Sequence, residues 1–291
     1  MSAVPTPVTP KPAARGRAIG AILVDAGRLS ADSAEKILRL QKERGIRFGD
    51  AAVQLKLVSE DDIRFALARQ FDYPYLTAED DSVGRELEAA YRPFTPVVEQ
   101  LRALRSQLML RWFDGEDQRK ALAVVSPDVG DGRSFIAANL AIVFSQLGER
   151  TVLVDADLRR PRQHLLFKHA NGSGLSDVLA GRAGLEVVTR IPSLLGLSLL
   201  AAGAVPPNPQ ELLGRPSFIE MLQRLGRTYD TIIIDTPNAT AFADAQTVAA
   251  RAGAALVVAR RNRTAAGQLP RLVQSLQSSG VEAVGSVLNE G

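Results

Sequence analysis

The chain has no cysteine, one tryptophan and two histidines among its 291 residues. Lack of cysteine excludes disulfides and thiolate metal sites, and permits a reducing compartment without requiring one. No stretch approaches the roughly 20 consecutive apolar residues of a membrane span. The opening segment, Met1 to Pro12, is rich in proline and lacks the apolar run of a secretory signal, so residues 1–15 read as a disordered arm. An excess of one charge is also missing: 35 basic residues face 32 acidic ones, for a net +3. The basic pI near 9.4 reflects that small surplus and gives no pull toward nucleic acid. The expectation is a cytoplasmic protein that binds no nucleic acid and touches a membrane only through a partner.

What remains is ordinary for a globular chain, 46% hydrophobic and 23% charged, long enough for two modest domains. Residues 16–76 show helical spacing, with Ile37, Leu38 and Leu40 and then Ile63 and Leu67. Residues 77–96 turn acidic and carry Pro93 and Pro96, which suits a linker. Over 97–291, apolar runs alternate with helical patterns: Leu122–Val125, Thr151–Val154, Thr231–Ile234, Ala255–Ala259 and Ala283–Leu288. Such alternation predicts an α/β domain with a doubly wound, mostly parallel sheet.

Residues 16–76 contain a repeat. Gly20 to Ser30 aligns with Gly49 to Ser59, and each glycine precedes a glutamine, Gln41 or Gln70, by the same distance. Ser30 and Ser59 each stand before an acid-containing helical run, as N-caps do. Two such copies are expected to bury each other's apolar faces in a small helical module.

The strongest local motif runs from Ser126 to Ser134, Ser-Pro-Asp-Val-Gly-Asp-Gly-Arg-Ser, between an apolar strand and the helix-compatible run Phe135 to Leu147. Glycines there let main-chain N–H groups curl around phosphate, and the helix N-terminus adds its dipole. The candidate nucleotide contacts are Gly130, Asp131, Gly132, Arg133, Ser134 and Phe135, with the Ser134 hydroxyl placed for Mg²⁺. Two positions depart from the general loop pattern: Pro127 replaces the first glycine, and Arg133 replaces lysine. An arginine is a planar fork rather than a point charge, so it holds phosphate bidentately but alters transfer geometry. A glycine-rich strand–helix turn with no ligand is the plainer alternative.

Asp155 and Asp157 follow the strand Thr151–Val154, two residues apart and on one side. The carboxyl end of strands in a doubly wound sheet is where ligands bind. One of these acids suits Mg²⁺ and the other suits orienting or deprotonating a hydroxyl. Asp235 ends the strand Thr231–Ile234 and fits the metal shell; alone it reads equally well as an N-cap. The candidate metal set is Ser134, Asp155 and Asp235, and the candidate catalytic set is Asp155, Asp157 and Arg133.

In this order, the loop Ser126–Ser134, Asp155-Ala156-Asp157-Leu158-Arg159, Pro206-Pro207-Asn208-Pro209-Gln210-Glu211-Leu212-Leu213 and Tyr229–Ala239 resemble the bacterial tyrosine kinases of capsule and exopolysaccharide synthesis. The likeness covers about Val97 to Leu288. It implies ATP and Mg²⁺ as cofactors and an integral-membrane polysaccharide chain-length protein as partner, holding the chain at the inner membrane. Glu99, Arg102 and Arg105 match the family's ExxRxxR helix, which implies a homo-oligomeric ring; without the family they form a solvated stripe. Partition ATPases share the fold but carry a second lysine where this chain has Asp128. Family members usually present a tyrosine-rich tail, whereas no tyrosine follows Tyr229 here. Tyr229 reads as packed, and Tyr73, Tyr75 and Tyr91 as better-placed acceptors, Tyr73 and Tyr75 being equally suited to structural roles. The chain-length-determinant subgroup carries the same arginine at the Arg133 position.

The front repeat resembles the N-terminal domain of type II secretion and pilus-assembly ATPases. That likeness implies cyclic di-GMP as ligand, through Arg47, Gly49 and Gln70 in the second copy and Arg17, Gly20 and Gln41 in the first. Arg17 lies one place early, and Lys56 stands where the first copy has Gly27. A protein-docking module is the alternative. For the chain as a whole, the alternatives to a kinase are a non-catalytic ATP-binding scaffold of the same export machinery and a positioning ATPase.

Overall fold

The computed structural model describes residues 17–71, 74–77, 79–115 and 119–290. The expected arm at 1–15 and Tyr73 lie outside these residues. The chain forms two units, residues 1–74 and 75–291.

In the first unit, α1 (Ile19–Asp25), α2 (Ala31–Arg44), α3 (Phe48–Gln54) and α4 (Glu60–Gln70) make up the two copies of the repeat. Ser30 Oγ accepts the Ser33 N–H at 3.2 Å. Ser59 and Asp62 exchange hydrogen bonds of 3.1 and 2.9 Å in a reciprocal cap. α2 ends on Gly45 at φ 63°. Packing is crosswise: α1 lies chiefly against α4, and α2 against α3, so each short helix meets the long helix of the other copy. Ile22, Leu23, Ile37, Ala51, Ala52 and Phe65 fill the core, while Leu38 is exposed. Gly20 lies under the Phe48 ring, where a Cβ would stand 2.9 Å from Cζ.

The second unit is built on seven strands: β1 (Ala121–Val125), β2 (Thr151–Asp155), β3 (Thr189–Arg190), β4 (Leu197–Leu200), β5 (Thr231–Asp235), β6 (Ala254–Arg260) and β7 (Glu282–Asn289). Their order is β3-β4-β2-β5-β1-β6-β7, all parallel except β3. This is the expected doubly wound sheet. The short pair β3–β4 extends it beyond the predicted runs.

Alternate strand residues feed two apolar layers. Leu122, Val124, Leu153 and Ile233 face α5 (Glu88–Tyr91), α6 (Pro96–Leu108) and α7 (Arg133–Leu147), with α8 (Gln163–Leu166) at the edge. Ala123, Val125, Val152 and Ile232 face α9 (Leu175–Leu179), α10 (Pro209–Leu213), α11 (Pro216–Thr228), α12 (Asp244–Ala252) and α13 (Gln268–Ser278). Among the described residues no helix is long and apolar enough to cross a membrane.

The segment expected as a linker is part of this core. Val83, Leu87, Ala89 and Ala90 are fully buried. Asn139 of α7, itself buried, accepts the Ala89 N–H at 2.9 Å and donates to Phe135 O at 2.9 Å. Gln146 donates to Ala89 O at 2.9 Å. The acidic residues and Pro96 that suggested a linker lie toward solvent, whereas Pro93 is buried along with the small apolar residues that meet α7.

Asn139→Ala leaves a buried N–H unpaired, which costs about 1–3 kcal/mol. The expected result is a urea midpoint clearly below wild type, with an unchanged m-value; a linker in this place would leave the midpoint unmoved.

Candidate functional site

β1 runs into the loop Ser126–Gly132, and α7 begins at Arg133. Gly130 and Gly132 adopt φ of 85° and 95°, the left-handed region that glycine enters without penalty. At Gly132 a Cβ would collide with Asn289 Nδ2, so the loop is moulded against its neighbour. Braces arrive from β6, α13 and β7. Arg260 Nη1 donates to Gly130 O at 3.0 Å, and Asn289 Nδ2 to Asp131 O at 3.0 Å. Thr264 Oγ1 donates to Asp131 Oδ1 at 2.8 Å, and Gln268 Nε2 to Asp128 Oδ2 at 2.8 Å. Asp131 is fully buried, and its other oxygen accepts the Asp128 N–H at 2.8 Å. Its carboxylate therefore shapes the loop, which leaves the main chain as its means of touching a nucleotide.

Parallel register sets Asp155 of β2 directly beside Asp235 of β5, both with no exposure. Asp155 accepts main-chain N–H groups of Asp157, Arg162 and Gln163 at 3.2, 3.1 and 2.9 Å. Burial, then the Asp235 charge, push its pKa well above the ordinary carboxylate value. Burial also raises Asp235, against the pull of the Arg133 charge and of hydrogen bonds from Ser134 and Gln163. Asp157 stands nearer the surface and accepts the Arg159 and Arg160 N–H groups at 3.2 and 2.9 Å. The two acids of the motif thus part company: Asp155 lies under the loop that it caps, and Asp157 lines the cavity.

Arg133, only 8% exposed, spans this cluster. Nη1 donates to Ser126 Oγ at 2.8 Å, Nη2 lies 3.4 Å from Asp157 Oδ2, and Nε lies 3.5 Å from Asp235 Oδ1. That last pair makes no hydrogen bond, leaving Arg133 Nε and Asp235 Oδ1 both buried and unbonded. An orphaned carboxylate oxygen beside a second buried acid fits a divalent cation. Among the described residues no group of three or more His, Asp or Glu makes a protein-only metal site. Mg²⁺ ordinarily takes one or two carboxylates and completes its shell with phosphate and water, so Ser134, Asp155 and Asp235 fit that role.

Sequence reasoning missed Gln163, which is fully buried on α8. Its Nε2 donates to Asp235 Oδ2 at 2.8 Å and to Ser134 O at 3.1 Å, tying the acid to the phosphate loop. Also missed were Arg260, Thr264, Gln268 and Asn289, which carry no local motif. A cavity of about 440 Å³ opens over the cluster, lined among others by Gly130, Gly132, Arg133, Ser134, Phe135 and Asp157.

The remaining candidates fall elsewhere. Exposed Glu99 pairs with Arg102, whose side chain is largely covered, while Arg105 turns inward to donate to Val143 O of α7 at 2.7 Å. Tyr91 is engaged, its hydroxyl donating to Val83 O at 2.8 Å, and Tyr75 packs edge-on against Phe94. Tyr229 packs on the core. In the first unit, Gln70 Nε2 donates to Arg17 O at 2.9 Å, so the end of one copy meets the start of the other. Arg17 pairs with Asp25 at 2.7 Å. Arg47 is exposed at the start of α3, and Gly49 packs against Ile63. Gln41 O accepts the Gly45 N–H that ends α2.

No family model matches the chain. Among curated proteins, one from Klebsiella pneumoniae, named for a tyrosine-protein kinase in a cps region, is 34% identical over 232 residues, 80% of this chain. Tyrosine-protein kinase etk of Escherichia coli K12 is 35% identical over 201 residues, 69% of this chain. The chain spans only 31% and 27% of the length of these two relatives. Among solved structures, the kinase domain of Escherichia coli ETK matches with a TM-score of 0.68 and 32% identity, over 75% of this chain and 85% of that one. The chimerical protein CapA2B2 matches with a TM-score of 0.66 and 29% identity, over 79% of this chain and 98% of that one. A phosphate loop, paired strand-end acids and identity that extends over most of a solved kinase domain converge: the chain belongs to the bacterial tyrosine-protein kinase family.

Proposed function

We propose that the second unit is an ATP- and Mg²⁺-dependent protein-tyrosine kinase that regulates exopolysaccharide chain length and export. The observation that carries this reading is Asp157 at the cavity wall, beside Arg133 and the phosphate loop, with Asp235 Oδ1 unbonded below. Ser134, Asp155 and Asp235 would hold Mg²⁺, which when bound offsets charge on the β- and γ-phosphates. Loop N–H groups and Arg133 bind phosphate oxygens. Asp157 orients the acceptor hydroxyl and takes its proton as the oxygen bonds to phosphorus and ADP leaves. The polysaccharide setting draws support from the cps-region name of the Klebsiella relative. The chain works at the inner membrane, docked on an integral-membrane chain-length protein, as a homo-oligomeric ring whose subunit contact includes Glu99, Arg102 and Arg105.

One observation favours the second reading, a nucleotide-binding scaffold without transfer: Arg133 is spread across Ser126, Asp157 and Asp235 rather than aimed along the loop. Labelled ATP separates the two. Wild type is expected to become phosphorylated on tyrosine, and Asp157→Asn to lose transfer by about 100-fold or more while binding nucleotide within a few-fold of wild type. No phosphotyrosine, even with the membrane partner's cytoplasmic segment present, sinks the kinase reading. Phosphate release without labelled protein marks a positioning ATPase.

The raised carboxylates give a pH signature. Cation capture must displace their protons, so stabilisation by Mg²⁺ and a non-hydrolysable ATP analogue should grow as pH rises above the ordinary carboxylate range. Without ligand the sign reverses. A folded-state pKa above the ordinary 3.8 means that the folded state holds more protons, so these groups cost stability as pH rises through the raised values. Asp235→Asn should flatten both slopes in thermal melts, raise the ligand-free Tm near neutral pH and abolish Mg²⁺-dependent stabilisation.

The first unit is proposed as a cyclic di-GMP sensor for the same machine, acting through Arg17, Gly20 and Gln41 with Arg47, Gly49 and Gln70. Arginines at such positions stack on guanine and pair with phosphate. Titration by calorimetry should show saturable binding in wild type and a loss of about tenfold or more in Arg47→Ala. An uptake curve that never saturates in wild type marks the unit as a protein-docking module.

A further inference from the structure

The phosphate loop follows β1, an interior strand of the sheet between β5 and β6. On one side stand the loops after β2 and β5, and on the other those after β6 and β7. The second set is occupied with bracing the loop through Arg260, Thr264 and Asn289. Asp155, Asp157 and Asp235 all come from the first. A hydroxyl that uses Asp157 therefore approaches over the β2 and β5 loops.

That wall holds Phe242, which lines the same cavity as Asp157 and Ser134 and is 37% exposed. Arg159 joins Phe242 to Asp157. Its main-chain N–H donates to Asp157 Oδ1 at 3.2 Å, and its guanidinium carbon lies 3.9 Å from the centre of the Phe242 ring. The guanidinium is fixed in turn by bonds of 2.7 and 3.2 Å to Asp244, whose carboxylate is fully buried. One face of the ring thus rests on an immobilised cation, and the ring is held in the cavity wall instead of the core. Aromatic rings favour edge-to-face or offset partners, and a ring fixed in advance gives up little entropy when one arrives.

We propose that Phe242, backed by Arg159, is the subsite that seats the ring of an acceptor tyrosine and sets the preference for an aromatic side chain next to Asp157. The proposal rests on the kinase reading for its purpose, yet its test reads binding and not transfer. The full chain is saturated with Mg²⁺ and a non-hydrolysable ATP analogue. It is then titrated, by fluorescence anisotropy, with three labelled peptides that differ only in a central Tyr, Phe or Leu. Wild type should bind the Tyr and Phe peptides about five- to tenfold more tightly than the Leu peptide. Phe242→Ala should erase that preference and Phe242→Trp should restore it, both with nucleotide affinity within about twofold of wild type. A merely structural role for the ring would weaken all three peptides alike.

Three results overturn the proposal: the preference survives in Phe242→Ala, no peptide binds saturably, or Phe242→Ala weakens nucleotide instead, which would make the ring a base platform. Phosphotyrosine is scored in parallel on wild type. An aromatic preference that depends on Phe242, without any transfer, upholds the subsite and fails the kinase reading alone.

Discussion

Two carboxylates that should repel each other are the fixed point of this site. Register between β2 and β5 puts Asp155 against Asp235 without solvent, and their surroundings answer that placement. Three main-chain N–H groups turn toward Asp155, which folds residues 157–163 back over the strand end. Gln163, carried there by that turn, donates to Asp235 and to the phosphate loop. Arg133 supplies the compensating charge from the other side. Buried acids in low dielectric are tolerated only with such compensation, and a residual imbalance is what a cation-binding site needs. Replacing the acids by apolar residues would relieve the strain and remove the reason for the surrounding geometry.

The arginine in the phosphate loop takes its meaning from this cluster. A lysine ammonium would make one compact contact; the guanidinium reaches Ser126, Asp157 and Asp235 at once. The loop cation is thereby coupled to the acid at the cavity wall, and the loop's entry serine is coupled to both. In the proposed mechanism phosphate binding and acceptor positioning share this one side chain, so substitution at Arg133 would disturb them together.

Features written within a few residues of sequence were legible. The glycine loop, the two acids after β2 and the acid after β5 each announce themselves at a strand end, and alternating apolar runs outlined the main sheet. The repeat was also readable, because each copy keeps its own glycine and serine cap. Residues whose roles depend on distant partners were not. Thr264, Gln268 and Asn289 reach the loop across 133, 140 and 158 residues, and nothing beside them marks the destination. Nothing in the residues around Phe242 marks its place in the cavity wall, which depends on the Arg159 guanidinium over its ring. Residues 77–96 misled through composition, since the burial of Val83, Leu87, Ala89 and Ala90 depends on a surface that α7 supplies. β4 was too short to stand out, although all four of its residues are buried.

The hand of Asn289 on Asp131 has a bearing on synthesis. β7 is the edge strand of the sheet, and its Asn289 side chain fills the space under Gly132 while gripping the neighbouring carbonyl. The glycine loop leaves the ribosome long before that support exists. A nascent chain can pair β1, β2 and β5 and bring its acids together without yet having a shaped phosphate cradle. The cradle therefore takes its shape only when β7 docks on β6, through a contact made across 158 residues of sequence.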